Sequence, residues 1–199
     1  MIKNIILDMG NVLFDYNPQI PLKQYCTDEQ QMRLIRKELF EGQEWVLKDL
    51  GEIGTDEAYE RIAARIPKEH HQALKNCNER WTDSMLPMKN AQDFVENLIR
   101  QDYPVYILSN ASTEFYDYFP RFRRLEDFAG VVVSSDVHMI KPDEKIYRYL
   151  LEKYRLKPEE SLFIDDRPDN VEAAKKLGIT AERFLGTFDD IEEKYQLRK

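Results

Sequence analysis

Short apolar runs alternate with amphipathic segments over most of the chain. The first run, from Ile2 to Leu7, ends at Asp8 and is typical of a strand buried on both faces. Four similar runs predict further strands, at 105–108, 131–133, 162–164 and 179–184. Apolar residues at helical spacing predict helices between them, at 90–99, 143–154 and 171–177. Because strands that alternate with helices form a parallel sheet covered on both faces, we predict an α/β, doubly wound, Rossmann-like fold.

The segment 17–86 interrupts this alternation and shows a pattern of helices alone. Thr27 with Gln30 is a capping-box signature, and Thr55 is predicted to cap a second helix. The first strand belongs to the same sheet as the later strands, so the helical segment is an insertion. We therefore predict a core domain formed by residues 1–16 plus 87–199, and a helical cap domain formed by residues 17–86.

Composition excludes several classes of function. The 199 residues carry a formal net charge of −8 at pH 7, which is the wrong sign for a nucleic-acid footprint or an anionic membrane. The apolar runs are far shorter than the roughly 18 residues of a membrane span. Two cysteines are too few for a disulfide framework. We predict a cytoplasmic protein, monomeric or a small homo-oligomer, that binds neither nucleic acid nor membrane.

Reactive side chains follow four of the predicted strands. In chain order they are Asp8, then Ser109 and Asn110, then Lys141, then Asp165 and Asp166. Because ligands bind outside the carboxyl ends of parallel strands, these side chains are expected to meet at one edge of the sheet. Carboxylates without histidine suit Mg²⁺, and a lysine with a hydroxyl can neutralise and orient a phosphoryl group. The pattern therefore predicts a site for phosphoryl transfer.

These motifs resemble those of the haloacid dehalogenase (HAD) superfamily, in the branch that has a helical cap inserted after the first motif. All four motifs occur in order, and the resemblance covers essentially the whole chain. The segments LDMGNVL, LSN and DDRPDN are most similar to bacterial alpha-D-glucose-1-phosphate phosphatases, as is GEIGTDEAY in the predicted cap.

The resemblance implies a catalytic role for three residues. Asp8 would be the nucleophile, Ser109 would donate to the phosphoryl oxygens, and Lys141 would bind both the phosphoryl group and the nucleophile. Asn110, beside the serine, and Asn11, in the first motif, are expected to contact the substrate.

The resemblance also implies a set of ligands for Mg²⁺. Asp8 and the backbone carbonyl of Gly10 would bind the metal from the first motif. Asp166 would be the main ligand of the fourth motif, and Asp165 an indirect or water-mediated one.

Gly10 departs from the usual family pattern, in which a second aspartate at this position is the general acid and base. A glycine keeps the carbonyl ligand but has no proton to give. General acid–base catalysis by a side chain raises the reaction rate about 10²–10⁴-fold. An anomeric phosphate leaves more easily than an ordinary alkyl phosphate. We therefore expect either a sugar 1-phosphate as substrate, or a water molecule or cap residue that supplies the proton.

The predicted function is a magnesium-dependent phosphomonoesterase that acts through an aspartyl-phosphate intermediate. Its predicted substrate is a small phosphorylated metabolite, such as a hexose 1-phosphate. A haloacid dehalogenase is an alternative, although it would not need the acidic pair Asp165 and Asp166. A catalytically weakened HAD protein that binds a phosphorylated ligand is another.

Overall fold

Residues 1–197 are described in the computed structural model of this protein. The strands in this part of the chain are β1 (Asn4–Leu7), β2 (Phe14–Asp15), β3 (Leu86–Pro87), β4 (Val105–Ser109), β5 (Gly130–Val133), β6 (Ser161–Asp165) and β7 (Thr180–Arg183). Five of them form a parallel sheet in the order β5-β4-β1-β6-β7. The strand that precedes Asp8 is therefore at the centre of the sheet.

The α-helices of residues 1–197 fall into two groups. Those of the inserted segment are α1 (Gln19–Tyr25), α2 (Glu29–Ile35), α3 (Gln43–Asp49), α4 (Thr55–Ala63) and α5 (His71–Arg80), and a π-helical turn (Arg36–Phe40) extends α2. Those that accompany the sheet are α6 (Lys89–Arg100), α7 (Phe115–Tyr118), α8 (Ser134–Val137), α9 (Glu144–Tyr154), α10 (Pro168–Lys176) and α11 (Asp189–Tyr195). In this part of the chain, no helix has the length and apolar character needed to cross a membrane.

Both faces of the sheet are covered, as its apolar strands require. Ile5 and Leu7 of β1 are buried in one apolar cluster with Phe94 of α6. The residue between them, Ile6, is buried in a second cluster with Ile146 of α9. This alternation follows from the two-residue period of a strand. The predicted α/β, doubly wound fold is confirmed.

A two-stranded antiparallel ribbon joins the helical segment to the core. Phe14 of β2 pairs with Pro87 of β3, and Asp15 pairs with Leu86. The sequence pattern missed this ribbon because each strand has only two residues, too few to show a period. We propose that residues 17–86 form the cap domain, since the ribbon encloses α1 to α5 between its strands.

Two predicted helix caps are wrong. Asp28, and not Thr27, caps α2, since its carboxylate accepts a hydrogen bond from the backbone amide of Gln31 at 2.8 Å. Thr55 is the first residue of α4, which follows Gly54. The hydroxyl of Thr55 instead donates to the carboxylate of Glu114 at 2.6 Å. Thr55 could cap a helix locally, but its hydroxyl bonds to a distant segment instead.

The same glutamate forms a buried ion pair with Lys48 of α3. Nζ of Lys48 lies 2.7 Å from Oε1 of Glu114, and the two side chains are only 2% and 19% exposed. Burial raises the pKa of Glu114, but Lys48 and three hydrogen bonds outweigh it and hold the pKa below its usual range. The carboxylate is therefore ionised at neutral pH, and the pair fixes the end of α3 to the core.

Replacing Lys48 with methionine should lower the free energy of unfolding by about 3–5 kcal/mol, because it leaves a mostly buried carboxylate without its cation. Urea denaturation at pH 7 measures the change. Arg61→Met is the matched control, since Arg61 pairs with Glu57 at 2.6 Å but both side chains are about half exposed. Its expected cost is about 0–1 kcal/mol. Equal losses in the two variants would contradict the stabilising role of the Lys48 pair.

Candidate active site

A buried ion cluster lies at the carboxyl end of the central strands. Nζ of Lys141 lies 2.6 Å from Oδ1 of Asp8 and 2.7 Å from Oδ2 of Asp165. Asp8 follows β1, Asp165 ends the neighbouring strand β6, and Lys141 comes from the loop after α8. The lysine and Asp165 are almost completely buried, and Asp8 is 7% exposed. The fold thus brings three of the predicted site residues together.

The charges of this cluster do not balance. Burial and the neighbouring Asp165 raise the pKa of Asp8 from 3.8 to about 7, although Lys141 lowers it. Burial alone would lower the pKa of Lys141, but the two carboxylates outweigh it and raise that pKa. Burial and Asp165 also raise the pKa of Asp166. Several carboxylates therefore share one ammonium group, and a further cation would relieve their repulsion.

Three carboxylates of the site lie close enough together to share a divalent metal. Ligand oxygens of Asp8, Asp165 and Asp166 all lie within 4.8 Å of one another. This donor set contains oxygen alone, which suits a hard cation such as Mg²⁺. The backbone carbonyl of Gly10, which the resemblance implies as a further ligand, stays a prediction. The residues present therefore fit Mg²⁺.

Two asparagines hold the cluster in place. The side-chain amide of Asn110 donates to the backbone carbonyl of Lys141 at 2.9 Å and accepts from its backbone amide at 2.8 Å. Nδ2 of Asn170 lies 3.0 Å from both carboxylate oxygens of Asp165. The predicted contact of Asn110 with substrate stays a prediction, and no role was predicted for Asn170. Neither pairing could be found from spacing, because each joins segments that are far apart or on different elements.

Asn11 lies beside the more exposed acid of the site. Its backbone is left-handed, with φ of 56°, a conformation that asparagine tolerates better than most residues. Its Nδ2 donates to Oδ2 of Asp166 at 3.2 Å, and its Oδ1 accepts from the backbone amide of Tyr16 at 3.2 Å. The structure thus places Asn11 against a candidate metal ligand. Its contact with substrate stays a prediction.

Ser109 offers a free donor at the same edge. It ends β4, next to the central strand, and is fully buried. Within residues 1–197, its Oγ has no hydrogen-bond partner. A buried hydroxyl left unpaired costs free energy, so such groups usually have a partner in the working protein. A phosphoryl oxygen of a bound substrate would supply it.

A cavity of about 80 Å³ lies between this edge of the sheet and the helical segment. The core contributes Gly10 and Asn110 to its wall. The aromatic part of the wall includes Tyr16, Trp45, Trp81 and Tyr118. The rings of Trp45 and Trp81 pack edge to face, with centroids 4.9 Å apart. Trp81 is buried as well as part of the wall.

Comparison with known proteins agrees with this architecture. Residues 2–178 match the model of the haloacid dehalogenase-like hydrolases. The chain belongs to this family of enzymes.

Relatives in the family include two phosphatases. The chain is 25% identical to a sesquiterpene phosphatase of Aspergillus oryzae over 182 residues, which is 89% of this chain and 87% of that protein. It is 24% identical to a D-ribitol-5-phosphate phosphatase of Bacteroides thetaiotaomicron over 196 residues, or 89% of each protein. A HAD family enzyme of Bacteroides thetaiotaomicron, solved in complex with magnesium and inorganic phosphate, has the same fold. It superposes with a TM-score of 0.69 and 24% identity, covering 92% of this chain and 94% of that one.

Proposed function

We propose that this enzyme is a Mg²⁺-dependent phosphomonoesterase with Asp8 as its nucleophile. The observation that carries the proposal is the buried Asp8–Lys141–Asp165 cluster, with Asp166 close enough to share a metal. Phosphoryl transfer needs mainly positioning and charge stabilisation, and this cluster provides both. The two phosphatases among the relatives and the magnesium and phosphate complex of the solved neighbour support the same function.

Each residue of the site has a task in this reaction. A carboxylate oxygen of Asp8 attacks phosphorus, the bond to the leaving oxygen breaks, and an aspartyl phosphate forms. Lys141 compensates the charge that Asp8 and the phosphoryl group bring together, and Ser109 donates to a phosphoryl oxygen. Bound Mg²⁺ would supply further charge neutralisation at the phosphoryl oxygens. Water then attacks phosphorus and releases phosphate, which restores Asp8.

The substrate we propose is a sugar phosphate, such as a hexose 1-phosphate. The cavity beside Gly10 is small, about 80 Å³, and combines aromatic walls with the polar groups of Asp49 and Asn110. Such a wall suits a compact polyhydroxylated leaving group, which has both apolar ring faces and hydroxyls. The D-ribitol-5-phosphate phosphatase among the relatives acts on a polyol phosphate, which supports this choice.

The acidic cluster also argues against dehalogenation. A metal-free enzyme would gain nothing from Asp166 beside a buried pair of carboxylates, since burial and the charge of Asp165 raise the pKa of Asp166 and oppose its ionisation. A phosphatase with this site, unlike a dehalogenase, should depend on Mg²⁺ for its activity.

Phosphate release from a panel of phosphorylated metabolites tests the proposal. The panel should include hexose 1-phosphates, hexose 6-phosphates and polyol phosphates, each assayed with Mg²⁺ and with a chelator. We expect release that requires Mg²⁺ and is fastest for a sugar phosphate. A folded protein that binds Mg²⁺ but releases phosphate from none of these compounds would overturn the proposal.

Replacing Asp166 with asparagine should raise the Mg²⁺ concentration needed for half-maximal activity at least about tenfold, because it removes a charged ligand from the candidate set. Excess Mg²⁺ should restore part of the activity. Titration of activity with Mg²⁺ measures the shift. Asp169→Asn is the matched control, since this exposed acid lies three residues away in the first turn of α10. An unchanged Mg²⁺ requirement in Asp166→Asn would remove this residue from the site.

A further inference from the structure

The proposed reaction needs a proton at two points, and the first motif does not supply it. The leaving oxygen must be protonated as it departs, and the attacking water must later lose a proton. Gly10 stands where most members of the family are expected to carry an acid. The cavity is lined by Gly10 and Asn110, which follow Asp8 and Ser109 closely along the chain, so we take it as the space for the leaving group. An acid on the opposite wall of this cavity could take over the task.

Asp49 is the carboxyl residue in the part of this wall that the helical segment contributes. It ends α3 and is partly buried. The pKa values of two neighbouring tyrosines show where the carboxyl group of Asp49 lies. Besides burial, the charge of Asp49 is the next largest cause that raises the pKa of both Tyr16 and Tyr118. Since both tyrosines also line the cavity, the carboxyl group lies at the cavity wall.

The backbone at the end of α3, around Asp49, is attached to the core by hydrogen bonds. Oγ of Ser134 donates to the carbonyl of Asp49, and Nδ1 of His138 lies 2.8 Å from the carbonyl of Leu50. Gly51 follows with φ of +68°, where a side chain would come within 2.3 Å of the carbonyl oxygen of Ser135. This close approach requires glycine. The end of α3 is thus held on α8, which follows β5, and on the residue after that helix.

The charges that face Asp49 leave its carboxyl group able to exchange a proton near neutral pH. Burial raises its pKa from 3.8 to about 7. Lys48 and a backbone hydrogen bond from Ser112 lower the pKa, while Glu114 raises it. An acid with a pKa near the working pH can both give and accept a proton, which is the property general acid–base catalysis requires.

We propose that Asp49 is the general acid and base of this enzyme, in place of the acid that Gly10 lacks. The inference rests on the proposed phosphatase function. When Asp8 attacks phosphorus, the bond from phosphorus to the leaving oxygen breaks and the Asp49 carboxyl group gives its proton to that oxygen. When water attacks the aspartyl phosphate, the Asp49 carboxylate takes a proton from the water, and the bond from phosphorus to Asp8 breaks. Both residues then return to their starting forms.

Space at Gly10 is consistent with such a replacement. A Cβ built on Gly10 would meet only Cβ of Tyr16, at 4.0 Å, among its near neighbours. The glycine is therefore not required by crowding, and a side chain at position 10 could enter the same cavity. This gives a rescue test, in which an acid at position 10 replaces the acid at position 49.

The test is rapid-quench measurement of the phosphorylation step in Asp49→Asn, an isosteric change, with two kinds of substrate. One is the best sugar phosphate of the panel, whose alkoxide leaving group needs a proton. The other is p-nitrophenyl phosphate, whose leaving group departs without one. We expect the sugar phosphate to phosphorylate the variant about 10²–10⁴-fold more slowly than the wild type. With the aryl phosphate, phosphorylation should stay within about tenfold, and the phosphorylated enzyme should accumulate because the base for its hydrolysis is gone.

Two further variants sharpen the comparison. Glu52→Gln removes an exposed acid from the same turn and should behave as the wild type with both substrates. Adding Gly10→Asp to Asp49→Asn should raise the rate with the sugar phosphate at least about tenfold above that of Asp49→Asn alone. Thermal melting of each variant checks that it is folded.

The outcomes separate this inference from the proposed function. Equal slowing of phosphorylation with both substrates in folded Asp49→Asn, or no slowing with either, would overturn the role of Asp49 while leaving the phosphatase intact. If the wild type releases no phosphate from any substrate, the proposed function itself has failed.

Discussion

Replacing Asp8 with asparagine should lower phosphatase turnover by at least about 10⁴-fold, as expected when a covalent nucleophile is removed. An amide of the same shape keeps the packing at the end of β1 but cannot form an aspartyl phosphate. Steady-state phosphate release with saturating Mg²⁺ measures the loss. Asp169→Asn, an exposed change of the same kind, should keep wild-type turnover. Activity of Asp8→Asn within about tenfold of the wild type would remove Asp8 as the nucleophile.

The same substitution should make the metal-free protein more stable above pH 7. The pKa of Asp8 is raised in the folded state, to about 7 from 3.8, so the folded protein holds a proton that the unfolded chain releases. Stability from this group is therefore lost as the pH rises from about 4 to about 7. Asparagine has no charge to lose. Melting in the presence of a chelator should give a higher Tm for Asp8→Asn than for the wild type at pH 8, and nearly equal values at pH 4.

Replacing Lys141 with alanine should have the second large effect, on both activity and stability. The change leaves buried Asp8 and Asp165 without the ammonium group that lies within 2.7 Å of each. Loss of a preorganised charge at the phosphoryl group should lower turnover by about 10²–10³-fold or more. Loss of the cation from a buried pair should cost about 3–5 kcal/mol of unfolding free energy in the metal-free protein.

Lys145→Ala is the control for this variant, because its side chain is exposed and lies 3.8 Å from Asp143. Turnover and urea denaturation should both be close to the wild type. Mg²⁺ should recover part of the stability of Lys141→Ala, since it would bring positive charge back to the carboxylates. Full activity of Lys141→Ala would show that the buried ammonium group has no part in the chemistry.

The sheet was predictable because its strands are buried on both faces. The run Ile5, Ile6 and Leu7 is short, apolar and rich in β-branched residues, which favours a buried strand over a helix, and it is buried throughout. Parallel strands then place their carboxyl ends at one edge. The convergence of Asp8, Lys141 and Asp165 follows from this topology. Its geometry does not, because the distances depend on loops whose course has no periodic signal.

The hydrogen bonds that support the site could not be predicted from the sequence, for the same reason. Asn110 has the character of a turn residue, yet its side-chain amide bonds to the backbone of Lys141, 31 residues away. Thr55 suits a helix cap, yet its hydroxyl donates to Glu114 of a distant segment. Local patterns record what a side chain can do with its neighbours along the chain. They do not record a competing partner that the fold brings from elsewhere.

Asp49 shows most clearly which part of the site cannot be predicted from the sequence. In the sequence it is one acid among many, at the end of a helix in the inserted segment. Only the docking of that helix on the core places it in the wall of a cavity that also includes Gly10. The missing acid in the first motif was visible in the sequence, and the need for a substitute could be inferred. The position of the substitute could not be predicted from spacing.

Trapping the phosphorylated enzyme tests the central claim most directly. The protein is mixed with Mg²⁺ and an excess of its best phosphate ester, quenched in acid within one turnover, digested, and analysed by mass spectrometry. We predict one phosphoryl group on the peptide that contains Asp8, released by hydroxylamine as an acyl phosphate requires, and absent from Asp8→Asn. Rapid turnover with no phosphorylated peptide, together with an active Asp8→Asn, would contradict the mechanism.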